Sequence, residues 1–161
     1  MDLFEEYLKM EEKPELIEIA LTDKSYKHYY EEINSKPYTG EYNKDLGTYG
    51  DAILKVCFLN ILLEEKSALP TEEKKKYESD ETLVKVIAKR YKLIDEIHYD
   101  ENDDKKPKNY KFESKSASKY IATCVEALVA AIYIEESKKS PDEAMKLIID
   151  LARHWKQWCN E

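Results

Sequence analysis

The sequence predicts an all-α protein, and three observations carry that prediction. Three glycines and five prolines in 161 residues are too few for the turns that an all-β fold needs. Apolar residues recur at spacings of three and four over long stretches. The last such stretch opens on Ser140, Pro141, Asp142 and Glu143, which place an N-cap, a proline and an N3 glutamate in order. The expectation is six to eight helices around two long central ones, in one domain over residues 1–161.

Taken in chain order, Pro14 suits a first helical position, with Glu15 to Leu21 following in helical weight. The stretch Tyr29 to Tyr42 carries Asn34, Pro37 and Gly40 and is expected to be a loop. From about Asn43 to Glu65, Leu46, Tyr49, Ile53, Val56, Leu59 and Leu63 mark the first long helix. Pro70 and Thr71 open a short charged helix through Tyr77. Ser79 or Asp80 then caps another, with Leu83, Val86, Ile87 and Tyr91 on its buried side. Residues 100–115 are polar and are expected to form a loop. The second long helix runs from about Ser116 to Ser137. The final one carries Ala144, Leu147, Ile148, Leu151, Trp155 and Trp158.

Composition narrows the function classes. With 42% apolar and 37% charged residues and no uninterrupted apolar run of 18, a membrane protein is not expected. Cys57, Cys124 and Cys159 show no CxxC spacing, so zinc and redox chemistry are weakly supported and a reduced, cytoplasmic protein is expected. The first ten residues are acidic and amphipathic, unlike a secretory leader. A formal charge of −8 argues against indiscriminate nucleic-acid affinity while leaving room for a local basic patch. His28, His98 and His154 are scattered, without triad or metal spacing. No nucleophile motif or Gly-rich phosphate loop occurs.

Two carboxylates stand in apolar surroundings. Glu126 is the one charged residue in Ile121 to Ile134, a run apolar almost all round the helix and therefore central. Asp51 follows Gly47 and Gly50 in the other long helix, and a helix-interior glycine costs about 1 kcal/mol relative to alanine. An uncompensated buried carboxylate costs several kcal/mol. Either each acid pairs with a lysine, arginine or helix N-terminus, or Asp51 and Glu126 converge on a hard divalent cation, which favours carboxylate oxygens.

Four segments, in order, resemble the ribonuclease III catalytic domain. Residues 20–26 (ALTDKSY) are similar to its ALTHKSY opening, and residues 43–54 (NKDLGTYGDAIL) to its signature NERLEFLGDAVL. Residues 80–83 (DETL) match its NETL segment, and residues 122–134 (ATCVEALVAAIYI) its ADAFEALIGAIYL. The resemblance spans nearly the whole chain. The C-terminal double-stranded-RNA-binding domain usual in that family has no counterpart in these 161 residues, as in the mini-ribonuclease III branch.

This resemblance implies a homodimer that engages double-stranded RNA and cuts it with Mg²⁺ (or Mn²⁺) held by four acids per subunit. Those acids fall at Gly47, Asp51, Thr123 and Glu126, so two are replaced, and catalysis by Asp51 and Glu126 alone is expected to be weak or lost. Lys44 also stands at an acidic family position, and Asp45 points elsewhere on the helix. The family's dimer-inserting phenylalanine falls at Thr48, so Gly47, Thr48 and Gly50 are the candidates for a close approach between subunits. Lys105, Lys106, Lys108, Lys111, Lys115 and Lys119, against the single acid Glu113, form a basic window with Tyr110 and Phe112 interleaved. That window is the candidate RNA contact, reading backbone and shape. Two further readings stay open: a non-catalytic RNA-binding or assembly module with the same fold, and an unrelated all-α hydrolase such as a nucleotide pyrophosphohydrolase.

Overall fold

In the computed structural model, which describes residues 1–102 and 115–161, the described residues form eight α-helices, six of them arranged around a long central pair. Their order is α1 (Leu3–Leu8), α2 (Glu15–Ala20), α3 (Tyr26–Asn34), α4 (Lys44–Glu64), α5 (Pro70–Glu78), α6 (Asp80–Thr82), α7 (Lys115–Lys139) and α8 (Pro141–Cys159). A π-helical turn, Leu83–Ala88, extends α6, and a 3₁₀ turn covers Leu93–Asp95. Among the described residues there is no strand, only one bridge between Thr22 and His98. The fold is all-α.

The pair at the centre is α4 and α7, and glycine sets their separation. Gly50 has no room for a side chain: a Cβ there would meet the Glu126 carbonyl oxygen at 1.7 Å. Gly47 faces the Thr123 methyl, where a Cβ would sit at 2.8 Å. The close approach anticipated between subunits at Gly47 and Gly50 is therefore made within the chain, against α7. Thr48, the third position of that set, is exposed, and its hydroxyl donates to the Lys44 carbonyl at 3.3 Å.

The apolar residues that mark α4 as a helix are mostly not the ones it buries. Ile53, Leu54, Cys57, Phe58, Ile61 and Leu62 face the core, each at 4% exposure or less. Tyr49, Val56 and Leu63 lie on the opposite side at 43, 52 and 65% exposure. With exposed Ala52 and half-buried Leu59 they repeat at spacings of three and four, a heptad-like stripe left on the surface. α4 is apolar on both faces, so an 18-residue window reaches a mean hydropathy of 1.4 and passes the length-and-composition test for a membrane span. The absence of an uninterrupted apolar run did not foretell that. Here the helix packs on α5, α7 and α8.

Two other expectations are corrected. Tyr26–Asn34 is helix, although Asn34, Pro37 and Gly40 mark only its end; Ser35, at φ 51°, closes it. Tyr26, Tyr29, Tyr30 and Ile33 do recur at helical spacing, but no residue of α3 is buried, and the turn residues that follow hid the helix. At α8, Ser140 is the N-cap residue but its side chain makes no capping bond. Side-chain caps do form at Asp2, whose carboxylate accepts from the Glu5 backbone N–H at 3.0 Å, and at Ser79, as expected, whose hydroxyl accepts from the Thr82 backbone N–H at 3.2 Å.

α1 is pinned to α7 by a polar network. The Tyr7 hydroxyl donates to Glu136 at 2.8 Å, and Lys139 reaches both at 3.1 and 3.0 Å. Glu136, 8% exposed, is thus a buried carboxylate with full compensation. At the C-terminus, Trp155 is enclosed by Phe4 and Tyr91, and its indole N–H donates to the Tyr91 hydroxyl at 2.8 Å.

Candidate active site

Helical geometry brings one flank of α4 beside one flank of α7. Lys44, Thr48, Asp51 and Lys55 recur at four, three and four along α4; Lys119, Thr123 and Glu126 recur at four and three along α7. Because the two glycines draw the helices together, these flanks meet at a cavity of about 520 Å³. Asp51 and Glu126 both line it, with Gly47 and Thr123 on its floor and Thr48 and Lys119 at its wall.

Two further segments complete the enclosure. The turn after α2 is held by main-chain bonds: Asp23 N–H to His98 carbonyl at 2.9 Å, His98 N–H to Leu21 carbonyl at 2.8 Å, and Asn43 N–H to Thr22 carbonyl at 2.9 Å. The buried Asn43 amide also donates to the Ala20 carbonyl at 3.1 Å. This lacing sets Asp23 and Lys24 on the cavity wall and fixes the start of α4. With Asp80, at the head of α6, the cavity holds four carboxylates: Asp23, Asp51, Asp80 and Glu126.

The acids live in different electrostatic settings. Asp51 accepts from the Lys55 ammonium at 2.6 Å, one turn along α4. Glu126 has no lysine or arginine within ion-pair distance among the described residues. Burial first, then the charges of Asp51 and Asp80, push its carboxyl up from 4.5 to about 8, against a smaller pull from Lys119 and Lys55. At neutral pH Glu126 is therefore largely a neutral acid that can donate a hydrogen bond. Burial also pushes the Cys57 thiol up to about 12, so it behaves as a small apolar residue.

The donor set does not match a four-carboxylate metal centre. Gly47 and Thr123 face each other where two of the acids implied by the resemblance would stand, and Asp51 is engaged by Lys55. Among the described residues, no group of three or more acidic, histidine or cysteine side chains is arranged to hold a metal ion. Asp45 lies outside this cavity and lines a separate shallow one with Gly40 and Tyr42. Lys105, Lys106, Lys108 and Lys111 fall outside the described residues. Lys115 is the first residue of α7, and nothing is established about its side chain. Of the basic window, Lys119 is the member placed at the cavity.

Sequence reasoning placed Lys44 near the site and missed Asp23, Lys24, Tyr42, Asp80 and Tyr120 as cavity residues. Signals for two of them were present. Lys24 lies in the ALTDKSY segment and Asp80 opens DETL, but spacing alone does not reveal that those segments fold against α4 and α7.

The sequence profile of the ribonuclease-III-like family matches residues 13–151 of the 161. The chain belongs to the ribonuclease-III-like family. That match takes in α2 through most of α8 and every residue named at the cavity. A search of curated proteins returns no match. Membership in the ribonuclease-III-like family supports a ribonuclease-type function, with RNA as the substrate class and divalent metals as the family's general cofactors. The unrelated-hydrolase reading is set aside by the same match.

Proposed function

We propose that this chain engages structured, double-stranded RNA as a homodimer and that its phosphodiester cleavage is weak or lost, leaving an RNA-binding or assembly module with a ribonuclease III fold. One observation carries this reading: Gly47 and Thr123 meet on the cavity floor with 2.8 Å between the Thr123 methyl and a Cβ built at Gly47. Neither brings a charge, so the transition state of phosphodiester hydrolysis lacks two of its expected electrostatic supports.

RNA contact is supported by Lys24, Lys44 and Lys119 at the cavity rim and by the lysine window of the sequence that leads into α7. Such contacts read phosphates, so affinity falls steeply with salt and varies little with sequence. The homodimer is supported by the exposed stripe of α4, which adjoins the cavity and would set two cavities along one RNA duplex.

A second, catalytic reading has its own support: Asp23, Asp51, Asp80 and Glu126 share the cavity. Incubation of a long RNA duplex with Mg²⁺ or Mn²⁺ separates the two. The expected result is binding without cleavage by the wild type, and measurable cleavage only after Gly47→Glu and Thr123→Asp are made together. Cleavage by the wild type that Glu126→Gln abolishes would establish the catalytic reading instead.

A further inference from the structure

We infer that Lys55 is the resident cation of this site: its ammonium satisfies Asp51 in place of a divalent metal, and RNA is engaged without a metal ion. The second half rests on the RNA reading above; the first does not. Three observations converge. Lys55 Nζ lies 2.6 Å from Asp51 Oδ2, a charge-assisted hydrogen bond that occupies a carboxylate oxygen a cation would need. The pair is pre-set by the helix, because residues four apart share a face, and the acid precedes the base in the favoured orientation. Across the cavity, the Thr123 methyl fills the space above Gly47, so the floor presents an apolar contact instead of oxygen donors.

Mg²⁺ gives up its water reluctantly and is usually anchored by at least one or two free carboxylates. Here Asp51 already has a cationic partner in Lys55. The other carboxylates of the cavity, Asp23, Asp80 and Glu126, share it with Lys24, Lys44 and Lys119 and are not grouped to hold a metal ion among the described residues. Lys24, Lys44 and Lys119 offer phosphate positive charge at the cavity, while Lys55 offsets Asp51 beside it.

The test uses the whole chain and Mn²⁺ alone, followed by electron paramagnetic resonance without RNA, with wild type, Lys55→Met, and Lys55→Met combined with Asp51→Asn. Lys55→Gln serves as a second variant that keeps a polar head on an exposed side chain, and circular dichroism checks that each remains folded. Wild type is expected to show no saturable Mn²⁺ binding at submillimolar concentration. Lys55→Met is expected to gain affinity by about tenfold or more, lost again with Asp51→Asn. Saturable, Asp51-dependent binding by the wild type overturns the inference. So does failure of both Lys55 variants to bind Mn²⁺, because something other than Lys55 then excludes the ion.

A second arm titrates a short RNA duplex in EDTA and in Mg²⁺ at matched ionic strength. The expected dissociation constants agree within about twofold. A tenfold or greater gain from Mg²⁺ overturns metal-free engagement. Absence of RNA binding in both buffers refutes the RNA reading and with it the second half of this inference, while the Mn²⁺ arm still decides the role of Lys55.

Discussion

At Gly50 the missing side chain is a spatial requirement, since the Glu126 carbonyl lies 1.7 Å from where a Cβ would be. Backbone cannot yield as a side chain can, so Gly50→Ala is expected to cost about 3 kcal/mol by urea denaturation, despite alanine's better helix propensity. Gly47 is different. Its neighbour is a Thr123 methyl at 2.8 Å, which rotation about one bond can move, and alanine returns about 1 kcal/mol of helix propensity. Gly47→Ala is expected to change stability by less than about 1 kcal/mol. Glu126 gives a pH signature. Its folded value of about 8 lies above its ordinary 4.5, so between these the folded state retains a proton the unfolded chain has released. Stability is then full below about 4.5 and declines as pH rises through 8. Glu126→Gln removes this decline, and thermal melts should show it gaining about 1–2 kcal/mol on the wild type between pH 5 and pH 8.

α4 works on three sides at once. One side is core, one flank carries Lys44, Thr48, Asp51 and Lys55, and the remaining side carries Tyr49, Val56 and Leu63. Burying a large apolar side chain is worth about 1.5–3 kcal/mol, so three such residues repeated on two subunits are a substantial drive to association. For the proposed homodimer, Val56→Glu with Leu63→Lys is expected to yield a monomer by sedimentation, with the melting temperature of the monomer fold little changed because both side chains are already in water. A wild type that sediments as a monomer refutes the stripe as a dimer surface. The period of α4 was plain in the sequence. Which stripe it buries was not, because the helix is apolar on two sides and periodicity alone does not choose between them. α3 is the opposite case. Its stripe of Tyr26, Tyr29, Tyr30 and Ile33 has helical period, but Asn34, Pro37 and Gly40 close behind it read as a loop, and its tyrosines pack on one another, on Tyr38 and on His98 without being buried.

Across the whole molecule, a net charge of −8 coexists with a cavity bordered by three lysines. RNA affinity should therefore depend on a few local contacts. Neutralising Lys24, Lys44 or Lys119 to Gln is expected to lower the slope of log affinity against log salt by about one per contact, with little change in sequence preference. A slope unchanged by all three substitutions would move the RNA-binding surface elsewhere. The segments that form the cavity lie far apart in the chain: Asp23, Asp51, Asp80 and Glu126 belong to four different elements. Their order in the sequence matched the family, but their convergence depends on the bonds that lace Asn43 and His98 to the turn after α2 and on the glycines between α4 and α7.

By itself the sequence determined that the chain is helical, that α4 and α7 are its central pair, and that Asp51 and Glu126 are acids in costly surroundings, because period and composition act locally. Only the tertiary structure decided the partners. It gave Asp51 to Lys55, left Glu126 without an ion pair among the described residues, compensated Glu136 through Tyr7 and Lys139, and turned Gly47 and Gly50 inward rather than toward a second subunit. The reason is physical: a carboxylate's charge state and a glycine's purpose are set by what stands within a few ångströms, and those neighbours come from other parts of the chain.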